Sequence, residues 1–82
     1  MAADQSAVGC YGTLTVATRG PAGPGEVLVK MRGGTEAYLA WSEEPLARGT
    51  AVLVFNSRGD RTVDVMQWGE TPADLGGWDV SR

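Results

Sequence analysis

The chain has 82 residues, with seven Lys and Arg against ten Asp and Glu, a net charge of -3 and 43% hydrophobic residues. That balance suits one small globular domain and is too apolar for a disordered chain. Histidine is absent and Cys10 is the sole cysteine, which excludes a histidine-based triad, an imidazole metal ligand, an internal disulfide and a cysteine-cage zinc site within this chain.

Met1 to Ser6 is small and polar, and residues 1–7 are expected to form a flexible N-terminus. The stretch has neither the basic start nor the apolar core of a signal peptide. From Val8 the pattern alternates. Val8, Cys10, Leu14 and Val16 fall on one parity, and Tyr11, Thr13, Thr15 and Ala17 on the other, the mark of a half-buried strand. Gly12 interrupts it and signals a bulge or a close backbone approach.

Gly20 to Gly25 is dense in Gly and Pro and forms a loop. The second strand runs from Glu26 to Arg32, with Val27, Val29 and Met31 on one face. Gly33-Gly34 is a two-residue hairpin signal. In the third strand, Thr35 to Ser42, Ala37, Leu39 and Trp41 face one way and Glu36, Tyr38, Ala40 and Ser42 the other. Glu43 to Thr50 breaks the alternation with turns at Glu44-Pro45 and Arg48-Gly49. A fourth strand spans Ala51 to Asn56, and Ser57 to Asp60 reads as a turn. The fifth strand, Arg61 to Trp68, sends Val63 and Val65 inward and Thr62, Asp64 and Met66 outward.

No segment carries a long 3.6-residue period, so the expected class is all-β with no long helix. Five short strands with turns between them predict a small five-stranded β-barrel over residues 8–68, because an open sheet this small would leave two edges exposed. Residues 69–82 are expected to form a C-terminal tail. The expected inward set is Val8, Leu14, Val16, Val27, Val29, Leu39, Trp41, Val52, Val54, Val63 and Val65. The longest apolar run, Ala51 to Phe55, is far short of the ~20 residues of a spanning helix, so direct membrane insertion by this chain is not expected.

Three stretches in order, taken together, resemble the soluble C-terminal domain of NfeD-like proteins. The first is Gly20-Pro21-Ala22-Gly23-Pro24-Gly25-Glu26-Val27-Leu28-Val29. The second is Gly34-Thr35-Glu36-Ala37-Tyr38-Leu39-Ala40. The third is Pro45-Leu46-Ala47-Arg48-Gly49-Thr50-Ala51-Val52-Leu53-Val54, followed by a Gly turn and the strand Thr62-Val63-Asp64-Val65. The resemblance spans Gly9 to Val65. It implies an OB-like (OB-fold) barrel of bacterial or archaeal type. It also implies a membrane-anchored parent protein and stomatin- or flotillin-like membrane scaffold proteins as partners.

The resemblance sets Val52 and Val54 inward, so Leu53 and Phe55 point outward, and the adjoining strand sends Met66 and Trp68 out. Soluble domains rarely expose such a contiguous apolar group. Either the tail covers it, with Leu75 or Trp78 as lid, or it is an interface with a partner or a second copy; Leu53, Phe55, Met66 and Trp68 are the candidate interaction residues.

Other candidates carry less. Cys10 on the inward parity reads as a structural thiol, since a reactive one needs a thiolate-stabilising cation, a helix N-terminus or an exposed pocket, and no histidine base is available. Glu43-Glu44, with Glu26 or Asp60, lacks the oxygen-rich spacing of a calcium loop and reads as a solvated turn. Gly20 to Gly25 lacks the Gly-Lys-Ser/Thr ending of a phosphate-binding loop. Tyr11, Tyr38, Phe55 and Trp68 offer surfaces for base stacking, which makes a barrel binding single-stranded nucleic acid or a small ligand the alternative reading. An isoelectric point near 4.7 opposes it. No catalytic residue, cofactor or metal is assigned, and the expectation is a non-catalytic protein-interaction module.

Overall fold

The computed structural model describes residues 7–69. Among the described residues there are five strands, β1 (Tyr11–Val16), β2 (Gly25–Met31), β3 (Gly34–Trp41), β4 (Ala51–Gly59) and β5 (Thr62–Gln67), and one 3-10 turn at Gly20–Ala22. They close into a barrel in the order β1-β2-β3-β5-β4, with β4 returning to β1. Every pairing is antiparallel except β3 with β5. This is the OB-like connectivity, and closure leaves no strand edge to be protected. Among the described residues no helix is long and apolar enough to cross a membrane.

The interior is filled by the valines that the period-2 pattern assigns to it. Val27, Val29, Val52, Val54, Val63 and Val65 are buried together with Leu14. β-branched side chains suit this packing because they are stiff and fill a pleated face. Gly12 lies inside the same wall, opposite both Val29 and Val52. A Cβ there would stand 2.7 Å from the Leu28 carbonyl oxygen, so the expected close backbone approach is what the position requires.

Four residues of the expected inward set are not buried, each for a local reason. Val8 belongs to a turn ahead of β1, where the strand parity does not reach, and is exposed. Val16 follows a register shift between Leu14 and Val16 that turns it outward. Leu39 is exposed and Trp41 is only partly buried. The hairpin explains both. Its two-residue loop is Arg32-Gly33 rather than Gly33-Gly34, with Met31 opposite Gly34 and Gly33 at φ +90°. A two-residue loop between antiparallel strands pairs odd positions with even ones. With Val27 opposite Tyr38 and Gly25 opposite Ala40, it is Tyr38 and Ala40 that share the buried face.

The turn after β4 is tighter and later than Ser57 to Asp60. β4 continues to Gly59, and Asp60-Arg61 forms the loop with φ of 54° and 55°, the pairing of positive dihedrals that a right-twisted hairpin favours. Arg61 occupies this costly conformation because it anchors the parallel closure. Its guanidinium bonds the Glu36 carboxylate at 2.7 Å and the Ala37 carbonyl at 2.9 Å and lies 4.8 Å from the Tyr38 ring centre. Its own carbonyl accepts the Leu39 N–H at 2.9 Å. Cys10 is partly buried and packs against the core.

Candidate functional site

The outer face of β1, β4 and β5 carries a row of large apolar side chains. Leu53 stands directly opposite Met66 on β5 and opposite Tyr11 on β1. Side chains opposed in this way lie within contact distance on one face of a sheet. Trp68, just past β5, is tied in place by its N–H donating to the Ala51 carbonyl at 2.8 Å. Its ring centre lies 5.1 Å from that of Tyr11. Phe55 sits where β4 shifts register between Val54 and Asn56. Leu53 is partly buried, whereas Tyr11, Phe55, Met66 and Trp68 are each about half exposed, at 50%, 53%, 48% and 50%.

The barrel therefore brings the four residues singled out from sequence onto one wall and adds Tyr11. Tyr11 was open to detection, since it falls on the outward parity of its strand. What sequence alone does not give is the β1–β4 pairing that sets it beside Leu53. The tail residues considered as a lid, Leu75 and Trp78, lie outside the described residues.

Beside this wall runs a groove lined by Leu46, Phe55, Val65, Met66 and Gln67, with Ser42, Glu43 and Glu44 along its rim. Hydroxyl groups fix the rim. Thr18, itself buried, has an oxygen that accepts the Leu46 N–H at 2.8 Å and lies 2.6 Å from the Ser42 hydroxyl, which donates to the Glu44 carbonyl at 2.7 Å. The Thr18 hydroxyl also lies 3.5 Å from the Glu44 carbonyl, so Thr18, Ser42 and Glu44 form one connected cluster. Thr18 and Leu46 also share a backbone bond at 2.9 Å. This staple seats Leu46 in the barrel end and holds Glu43 and Glu44 outside it.

A second polar cluster covers the wall beyond Phe55. Asp64 accepts from Asn56 at 2.8 Å and from Arg58 at 3.0 Å, with an Arg58 ion-pair contact of 2.8 Å. Arg58 also lies 5.1 Å from the Trp41 ring centre, which accounts for Trp41 being comfortable on the outside. Burial pushes the Asp64 carboxyl up, but the Arg58 and Asn56 hydrogen bonds and the Arg58 charge outweigh it and leave it below its ordinary value of 3.8. Among the described residues no group of three or more His, Cys, Asp or Glu converges to hold a metal ion.

Comparison with known proteins assigns the barrel. The family model of the NfeD C-terminal domain matches residues 11–66. The solution structure of the soluble domain of the NfeD protein YuaF from Bacillus subtilis is similar at 28% identity with a TM-score of 0.64. The match covers 79% of this chain and 76% of that one. The C-terminal domain of stomatin operon partner protein 1510-C from Pyrococcus horikoshii is 22% identical with a TM-score of 0.57, over 82% of this chain and 95% of that one, and shares the fold. A search of curated proteins gives no significant match.

Proposed function

Because the chain belongs to the NfeD C-terminal domain family, we propose that it is a non-catalytic protein-interaction module whose docking surface is the outer wall of Tyr11, Leu53, Phe55, Met66 and Trp68. The observation that carries this reading is the continuity of that wall: four large apolar side chains on adjacent strands and Trp68 just past β5, with four of the five half exposed. Apolar surface of this kind gains about 25 cal/mol for each Å² removed from water. Aromatic residues and Met are also the types enriched at interface centres.

The partner proposed is a stomatin- or flotillin-like membrane scaffold protein, and the parent chain is proposed to be membrane-anchored. The Pyrococcus neighbour is a stomatin operon partner protein, which supports that direction. The alternative of single-stranded nucleic acid gains little from this wall, whose groove is rimmed by carboxylates and not by Lys or Arg.

The test is Phe55→Asp. Phe55 is half exposed and outside the buried core, so the variant should melt within a few degrees of the parent. It should lose at least tenfold in association with a stomatin-like protein, as measured by sedimentation. Equal binding by parent and variant contradicts the assignment of this wall.

A further inference from the structure

The groove between the 42–46 loop and β5 shares Phe55 and Met66 with the docking wall. Its lining includes the apolar Leu46, Phe55 and Met66 and the carboxylate-bearing Glu43 and Glu44. Both glutamates are exposed, and neither forms an ion pair among the described residues. The backbone that carries them is held to the barrel, because the Ser42 hydroxyl donates to the Glu44 carbonyl at 2.7 Å and lies 2.6 Å from the Thr18 hydroxyl. A groove with apolar lining and two exposed carboxylates beside it has a definite complement: a large apolar side chain that enters it, with Lys or Arg beside that side chain in sequence.

We propose that the groove accepts a partner segment of this kind, an apolar anchor flanked by basic residues; this rests on the docking-wall reading and specifies the partner it takes. Charge separates this occupant from the others. Residues 70–82 carry Glu70, Asp74 and Asp79 against Arg82 alone, so the chain's own tail brings like charge to the rim. A second copy has a net charge of -3 and, docked through the same surface, sets its own Glu43 and Glu44 against the first pair. Anionic lipid headgroups are repelled by the same rim. Like charges across an interface disfavour a partner and opposite charges steer one.

The experiment is selection of a random twelve-residue peptide library on phage against the full 82-residue chain, repeated with Glu43→Lys/Glu44→Lys. The parent should select sequences with a large apolar residue within two positions of Lys or Arg, and the reversed variant should select Asp or Glu at those flanks. A selected peptide should bind Glu43→Gln/Glu44→Gln about three- to tenfold more weakly than the parent. On the parent it should weaken as salt rises, a readout that needs no variant. Binders lost on Phe55→Asp but without any basic preference overturn this inference and leave the docking wall standing. Failure to select any binder contradicts both.

Discussion

Thr18 is the residue on which the rim of the groove turns. Its hydroxyl oxygen accepts the Leu46 N–H and shares a hydrogen bond with the Ser42 hydroxyl. Thr18→Val keeps the shape and removes both bonds, which leaves the Leu46 N–H unsatisfied in a buried place. A loss of about 1–3 kcal/mol in stability is expected from urea unfolding, with most of it restored by Thr18→Ser. Asp64 gives a second test at this scale. Its carboxyl is held below the ordinary range in the folded chain, whereas unfolded it titrates at about 3.9. The unfolded state therefore takes up the proton first as pH falls. The stabilisation is whole above pH ~4 and is lost as pH drops through the folded value. Urea midpoints measured from pH 6 down to pH 3 should fall more steeply for the parent than for Asp64→Asn.

At the level of the element, the third strand is where sequence and structure part. The alternation along β2, β4 and β5 was legible because those strands put valine on the inward parity at nearly every step. In β3 the larger apolar residues, Leu39 and Trp41, lie on the outward parity, and composition pointed the wrong way. The hairpin rule held the correction, since any two-residue loop opposes Val27 and Val29 with even-numbered partners. The bulge after Leu14 was not legible, because nothing in Thr15 or Val16 marks a register shift. Trp41 finds its stabilisation from Arg58 on the outside. Tyr38→Ala should accordingly cost on the order of 3–5 kcal/mol, and Trp41→Ala only about 1–2 kcal/mol. Paired thermal melts decide this, and a larger loss at Trp41 would contradict the register of β3.

For the whole molecule, closure is what creates the candidate site. Tyr11 and Met66 are far apart in sequence, and only the return of β4 to β1 sets them on either side of Leu53. The sequence yielded four members of the wall because two consecutive strands carry them. It did not yield the groove, which depends on the 42–46 loop being stapled to the segment after β1. The barrel also exposes Leu28 and Leu39 on its β2–β3 side, a competing apolar surface. The deciding measurement is amide chemical-shift mapping of the ¹⁵N-labelled chain on addition of the soluble region of a stomatin-like protein. Shifts and line broadening concentrated at Tyr11, Leu53, Phe55, Met66 and Trp68 are the predicted result. Changes centred on Leu28 and Leu39, or no changes at saturating partner, would contradict it.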